Sequence, residues 1–190
     1  MNDIIGWLIL LCAIAIIEFH DFRLVPALLG LQGVFFIFQY AYEGINIELL
    51  PLTIFSILFV PATLYYLTVK TKTSEEQPLL PNIQSIGLLI ILMAIVYGIT
   101  YLLNIESIQL LLILIGVYGL LMKTDLRKSA ASISILLNTA HLFMENFNVI
   151  VDFALITLSA ILILLLLFFA KQTYIIKGSL STKDLKELRF

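Results

Sequence analysis

Long apolar runs alternate with short polar connections along the whole chain. A helix needs about 20 apolar residues to cross a bilayer, and most of these runs approach that length. The pattern predicts an all-α integral membrane protein with about seven transmembrane helices. The predicted spans are residues 4–17, 24–42, 48–69, 83–103, 108–122, 129–143 and 149–170.

One long hydrophilic stretch, residues 70–82, interrupts this pattern and predicts a cytoplasmic linker. It separates a three-helix membrane segment, residues 1–69, from a four-helix segment, residues 83–170. Residues 171–190 form a polar tail that we expect in the cytoplasm. Within the third predicted span, Pro61 removes a backbone hydrogen bond, so a kink is expected there.

Lysine and arginine are confined to one side of this arrangement. When the connections are assigned to alternating sides, one side holds all 11 basic residues of the chain. The acidic residues of the other side are Asp3, Glu43, Glu48, Glu106, Glu145 and Asp152. The positive-inside rule then predicts the N-terminus outside and the C-terminus in the cytoplasm. Adding or removing one helix would mix the two sets, so the partition favours seven spans.

Composition supports a membrane protein over a soluble domain. Hydrophobic residues make up 61% and charged residues 13% of the chain, with a mean hydropathy of +1.07, whereas globular proteins carry about a quarter charged residues. Cys12 is a single cysteine in an apolar run, which predicts a packing residue. The first run has neither a basic n-region nor a small-residue cleavage site, so we expect a retained helix.

A polar stripe runs along the sixth predicted span. Ser134, Asn138, His141 and Glu145 are spaced by 4, 3 and 4 residues, which places them on one helix face. Such a face is costly in lipid, so it should contact protein or trapped water. One interpretation is a proton or ion relay, because histidine changes protonation near neutral pH. The other is inter-helix hydrogen bonding, worth about 0.6 kcal/mol on average in membranes.

A second polar group follows the first span and contains Glu18, His20, Asp21 and Arg23. It is interpreted either as a solvated turn with weak ion pairs or as a docking point for a cytoplasmic subunit.

The sequence lacks a Gly-rich phosphate loop, a Ser-His-Asp order and a metal-spaced Cys/His cluster, so no catalytic or metal site is expected. Charged residues are also missing from the middle of the predicted spans, where transporters and pumps usually place them. The pattern therefore argues against a pump that works alone.

Several short motifs are spread over most of the chain. They are Arg23-Leu24 followed by Gln32, Val60-Pro61, Asn138-Thr139-Ala140-His141-Leu142, and Gly178-Ser179-Leu180 followed by Leu185 and Leu188. Together they resemble the component E (HyfE-like) membrane subunits of hydrogenase-4 and formate hydrogenlyase. The second half of that family resembles NuoK, a small membrane subunit of respiratory complex I.

The resemblance implies a non-catalytic, multi-pass subunit in the plasma membrane of a prokaryote. Such a subunit would bridge an antiporter-like chain and the membrane anchor of a cytoplasmic redox module in a complex I-like [NiFe] hydrogenase. No cofactor is expected in this chain, because the [NiFe] centre and iron–sulfur clusters would belong to partner subunits. The expected partners are those chains and the lipid bilayer, without nucleic acid.

This chain departs from the family at three positions that tend to be charged. Ser56 stands where a lysine is usual, Leu137 where a glutamate is usual, and Leu158 near an embedded aspartate. These replacements imply at most a minor part in proton or ion translocation. The alternatives are a subunit of a related antiporter, sulfur-reducing or inorganic-carbon-uptake complex, or an independent small transporter.

Overall fold

A computed structural model of the chain describes residues 3–43, 54–71, 79–103, 105, 107–143, 149–178 and 180–181. Within these ranges the fold is helical and no residue belongs to a strand, which confirms the all-α class. The α-helices are α1 (Asp3–Glu18), α2 (Val25–Glu43), α3 (Val60–Lys70), α4 (Asn82–Leu103), α5 (Ser107–Met122), α6 (Leu126–Phe143) and α7 (Val149–Lys177). Each overlaps one of the predicted spans, and residues 48–53 of the third predicted span lie outside the described ranges.

Two of these helices contain segments long and apolar enough to cross a membrane. The segments are Ile83–Leu103 in α4 and Ile156–Lys177 in α7. Shorter apolar helical segments are Ile4–Glu18, Val25–Gln39, Ile54–Lys70 and Ser107–Met122. The length and composition of these helices are consistent with a helical membrane protein.

Successive helices run in alternating directions. The evidence is that the C-terminal ends of some helices contact the N-terminal ends of others at one end of the bundle. Glu18, the last residue of α1, bonds to Ser85 near the start of α4. Thr71, just after α3, bonds to Arg127 in the first turn of α6. Leu180, beyond the end of α7, bonds to Leu126, the first residue of α6. The odd-numbered helices therefore finish where the even-numbered helices begin.

The most polar helix occupies the middle of this bundle. Helix α6 packs against α1, α2, α5 and α7, and every residue from 123 to 132 is buried. The contact with α5 is close at Gly119, where an added Cβ would overlap the Ser132 hydroxyl. By contrast, Ile83 and Leu102 of the apolar helix α4 are 88% and 82% exposed. Polar residues inside and apolar residues outside are the distribution that suits a lipid environment.

Two described helices have bounds that differ from the predicted spans by three residues or more, besides α3, which follows a π-helical turn. Helix α6 begins at Leu126 rather than near residue 129, because Asp125 caps it: the Arg127 N–H donates to Asp125 Oδ1 at 2.9 Å. Helix α7 continues to Lys177 and stops at Gly178, whose φ of 67° suits glycine. The first turns of the predicted tail are therefore helical.

The helical path into α3 is irregular just before Pro61. A π-helical turn, Ile54–Phe59, leads directly into α3, whose second residue is Pro61. Proline lacks the N–H that an uninterrupted α-helix would use here, and π-turns occur where the regular ladder is disturbed. This turn packs against α2, where the Cβ of any residue replacing Gly33 would lie 3.0 Å from the Ser56 carbonyl oxygen.

Candidate functional site

The end of the bundle at which the helices meet contains a buried group of charged side chains. We call this group the charge cluster; its members are Glu18, Lys123, Asp125, Arg127 and Lys128. Four of them lie in residues 123–128, which the sequence pattern assigned to a cytoplasmic connection. In the structure, Lys123 and Asp125 precede α6, whereas Arg127 and Lys128 lie in its first turn. Arg127 and Lys128 are fully buried, each at 0% exposure. These cations are therefore part of the interior of the protein.

Lys123 forms an ion pair with Glu18. Lys123 Nζ lies 2.9 Å from Glu18 Oε2, with side-chain exposures of 2% and 7%. Ser85 connects the two groups, because its hydroxyl donates to Glu18 Oε1 at 3.0 Å and accepts from Lys123 Nζ at 3.0 Å. The Tyr118 hydroxyl donates to the Ser85 carbonyl oxygen at 2.9 Å. The ends of α1, α4 and α5 are joined by these bonds.

Arg127 forms a second ion pair, with Asp125 two residues earlier. The pair is bidentate: Arg127 Nε donates to Asp125 Oδ1 at 3.0 Å, and Nη2 donates to Oδ2 at 2.7 Å. The guanidinium carbon lies 3.6 Å from the ring centroid of Phe22, in the turn between α1 and α2. Nη1 also donates to the Thr71 hydroxyl at 3.3 Å. The planar, fork-shaped guanidinium suits this combination of a carboxylate and an aromatic face.

Lys128 binds the C-terminal end of α1. Its ammonium group donates to the carbonyl oxygens of Ile16, Ile17 and Phe19, with a distance of 2.8 Å to Ile17. An ammonium has three N–H donors, and the last carbonyls of a helix lack intrahelical partners. The C-terminal end of a helix also carries partial negative charge. Lys128 therefore supplies both the hydrogen bonds and the positive charge that this helix end requires.

The positions of Arg127 and Lys128 require compensation. Both lie in the first turn of α6, where the helix dipole disfavours cations. Their burial also removes hydration, which costs several kcal/mol per ion unless partners replace it. Asp125 compensates Arg127, and the end of α1 compensates Lys128. The arrangement depends on several helix ends being in place together.

The segment after α7 closes the cluster from a further side. Leu126 N–H donates to the Leu180 carbonyl oxygen at 3.0 Å, and Asp125 and Ser181 form an isolated antiparallel bridge. Leu180 is fully buried. The Gly178-Ser179-Leu180 motif noted in the sequence thus contains a residue that packs against the start of α6.

The charge cluster is suited to fixing helix ends. Its carboxylates, Glu18 and Asp125, both accept from cations within 3.0 Å. In the part of the chain that the structure describes, no three His, Cys, Asp or Glu residues are placed to hold a metal ion. The geometry supports a structural connection among the helices.

Two described residues of the predicted polar stripe, Ser134 and Asn138, are buried in α6. Asn138 Oδ1 accepts a 2.9 Å hydrogen bond from the hydroxyl of Ser56, which lies in the π-helical turn. This is an inter-helix hydrogen bond of the kind that the second interpretation of the stripe predicts for Asn138. His141 belongs to α6, but its side chain lies outside the described part of the structure, as does Glu145 entirely. The relay interpretation stays a prediction.

The second predicted group divides between the interior and the surface. Glu18 is held in the charge cluster, whereas Asp21 and Arg23 are exposed. Asp21 Oδ1 accepts the Arg23 backbone N–H at 2.9 Å, which stabilises the turn into α2. His20 lies beside this turn and is half-buried. A surface suitable for docking would therefore include Asp21 and Arg23 but not Glu18.

The sequence interpretation missed most partners of the charge cluster. Phe22, Thr71, Ser85 and Tyr118 come from four separate places in the chain and carry no motif. One available signal was Asp125 placed two residues before Arg127 at the start of an apolar helix, which is typical of an N-cap. That signal indicates an earlier helix start and an ion pair, but it does not identify the remote partners.

No family model matches the chain, and neither a curated protein nor a solved structure shows significant similarity to it.

Proposed function

We propose that this chain is a non-catalytic integral membrane subunit whose bundle connects larger partner subunits. The observation that carries the proposal is the distribution of polarity: the polar helix α6 is enclosed by other helices, while the apolar helix α4 is largely exposed. Ile90, Ile91 and Ile95 of α4 are all more than half exposed. A surface of this kind requires lipid or partner helices around it.

The proposed topology has seven membrane crossings, with the N-terminus outside and the C-terminus in the cytoplasm. The alternating helix directions and the one-sided distribution of Lys and Arg support it. Cysteine accessibility tests it in a Cys12→Ala background. We expect Glu75→Cys to react with a membrane-impermeant maleimide only after the cells are opened, and Asn104→Cys to react in intact cells. The reverse pattern, or equal labelling of both positions, would contradict the topology.

The proposed assembly is a complex I-like, membrane-bound [NiFe] hydrogenase in a prokaryotic plasma membrane. The motif resemblance to HyfE-like subunits supports this part of the proposal, with redox metals in the partner chains. Lys123, Arg127 and Lys128 join several helix ends at one end of the bundle, which suits a subunit that keeps two larger chains at a fixed distance.

The proposal leaves this chain at most a minor role in proton or ion translocation. The resemblance places a lysine at position 56, but here Ser56 is buried and forms a neutral hydrogen bond with Asn138. Leu158, near the expected aspartate, is 55% exposed and faces away from the bundle interior. These uncharged side chains favour a structural role over a conducting one.

Affinity purification tests the assembly. The chain would carry a tag on its C-terminal tail and be extracted from membranes in mild detergent, and co-purifying proteins would be identified by mass spectrometry. We expect antiporter-like chains together with a [NiFe] and iron–sulfur module. Membrane partners with different redox chemistry would assign the chain to a related complex. Recovery of the folded chain alone would contradict the subunit proposal and favour a small transporter.

A further inference from the structure

An apolar groove of about 380 Å³ lies between α3 and α7. Ala62, Tyr66 and Leu67 line it from α3, and Leu164, Phe168 and Lys171 line it from α7. The two helices are parallel, because Thr71 after the end of α3 and Leu180 beyond the end of α7 both bond to the first turn of α6. The groove therefore runs along the helices towards the end of the bundle that contains the charge cluster. Its volume lies within the range of small-molecule sites, about 300–1,000 Å³.

The groove offers little for a polar ligand along its length. Thr63 also lines it, but the Thr63 hydroxyl already donates to carbonyl oxygens of its own helix, Phe59 and Val60, both at 2.9 Å. The other lining side chains in the middle of the groove are aliphatic or aromatic. A hydrocarbon chain satisfies such a surface without leaving a buried polar atom unpaired.

Positive charge is concentrated at one end of the groove. Lys171 lines it directly and is exposed. Lys70, the last residue of α3, is also exposed, and its Nζ lies 5.9 Å from the ring centroid of Tyr66, a lining residue. Among the described residues that line the groove, none is acidic. An apolar groove with cations at one end is complementary to a molecule with a long apolar part and an anionic head.

We propose that this groove binds an anionic phospholipid, with one acyl chain between α3 and α7 and the headgroup phosphate at Lys171 and Lys70. The proposal rests on the membrane location in the proposed function. Under the proposed topology, both lysines lie at the cytoplasmic interface, where lysine side chains interact with anionic headgroups and basic pockets between helices bind such lipids. The ring of Tyr66 lies beside Lys70, and tyrosine is common at the interface between a bilayer and water.

Retention of lipid by the purified protein tests the proposal. The protein would be reconstituted in nanodiscs of phosphatidylcholine, with or without phosphatidylglycerol, returned to detergent and analysed by native mass spectrometry. We expect one phosphatidylglycerol molecule to be retained in preference to phosphatidylcholine. Lys171→Gln and Lys70→Gln should each lower this preference by about fivefold. Equal retention of the two lipids, or a preference unchanged in the double variant, would overturn the proposal.

Two neighbouring leucines provide a matched test of the apolar part. Leu164 lines the groove and Leu165 does not, although each is 47% exposed. We expect Leu164→Trp to abolish lipid retention by filling the groove, while Leu165→Trp retains lipid normally. Equal behaviour of the two variants would contradict binding in this groove.

A photo-crosslinking side chain at position 164 distinguishes lipid from a protein occupant in the native membrane. The expected adduct has the mass of a phospholipid, and an adduct to a partner helix instead would overturn the proposal. Carbonate extraction separates this result from the proposed function. If the chain remains in the membrane and assembles but shows no anionic-lipid preference, only the lipid site fails. If the chain is extracted by carbonate, the membrane proposal itself fails.

Discussion

Lys123 Nζ lies 2.9 Å from Glu18 Oε2, although the two residues are separated by 105 positions in the sequence. This ion pair joins the end of α1 to the connection between α5 and α6, and so connects the two halves of the chain. Ser85, at the start of α4, bonds to both partners. Because the pair is almost completely buried, each charge depends on the other.

We expect removal of either charge in this pair to be strongly destabilising. Glu18→Gln and Lys123→Gln should each lower the free energy of unfolding by about 3–5 kcal/mol, because each leaves a buried charge without its partner. The double variant should lose less than the sum of the two single variants. Unfolding in detergent, followed by circular dichroism, measures these differences. Arg23→Gln, at an exposed position, is the control and should change stability by less than about 0.5 kcal/mol.

Arg127→Lys should be destabilising even though it conserves charge. A lysine cannot form the bidentate contact with Asp125 or stack its planar group on Phe22. Loss of a hydrogen bond between charged groups costs about 1.5–3 kcal/mol, and we expect a loss of stability in this range. The matched control is Lys171→Arg on the exposed surface of α7, which should leave stability unchanged. Equal melting temperatures for Arg127→Lys and the unmodified protein would show that the fork geometry is unimportant.

Two glycines provide a test of packing between α5 and α6. A Cβ at Gly119 would overlap the Ser132 hydroxyl and lie 2.7 Å from Ile17 Cδ1, whereas a Cβ at Gly98 would meet nothing within 4 Å. We expect Gly119→Ala to destabilise the protein by about 1–3 kcal/mol through overpacking. Gly98→Ala should be neutral or stabilising by up to about 1 kcal/mol, because alanine favours helix. A reversed order of stability would contradict the close approach of the two helices.

The hydrogen bond between Ser56 and Asn138 should have a small but measurable energy. A double-mutant cycle with Ser56→Ala and Asn138→Leu should give a coupling of about 0.6 kcal/mol, and at most about 1.7 kcal/mol, as for other buried inter-helix bonds in membranes. A coupling energy near zero would indicate that Ser56 and Asn138 do not form this hydrogen bond in the folded protein. Ser134→Ala, elsewhere on the buried face of α6, is the control: combined with Ser56→Ala, it should give no coupling energy.

The relay interpretation has its own test in the assembled complex. If the stripe conducts protons, His141→Ala and Asn138→Leu should lower proton-coupled activity while leaving assembly intact. Proton uptake by inverted vesicles, compared with the amount of assembled complex, measures this effect. If both variants retain coupled activity, Asn138 has only its structural bond to Ser56 and the relay assignment of His141 fails.

The sequence predicted the helices well, because long apolar runs between polar connections determine where helices form. It placed most helix ends within three residues of their observed positions and singled out α6 as the helix with a buried polar face. The start of α6 was placed too late, since Lys123, Arg127 and Lys128 were assigned to the cytoplasmic connection before it. Basic residues near helix ends usually do interact with water and headgroups, so composition alone favoured that interpretation.

The partners of these basic residues could not be predicted from their spacing. The Asp125–Arg127 pair is local, but Phe22 and Thr71 reach Arg127 only after α1, α3 and α6 have packed together. The same holds for Lys128, whose acceptors are backbone carbonyl oxygens and therefore leave no mark in the sequence. Contacts of this kind depend on tertiary arrangement and become visible only in the structure.

The contact of Lys128 with α1 also has a consequence for the order of events during synthesis. The carbonyl groups of Ile16 and Ile17 leave the ribosome more than one hundred residues before the ammonium group that binds them. Until then, water must bind the end of the first helix. The nascent N-terminal half therefore keeps a hydrated end that loses its water only when the second half arrives. A chain that ends between α3 and α4 therefore lacks the donor that this helix end requires, and we expect cellular proteases to degrade it faster than the whole chain.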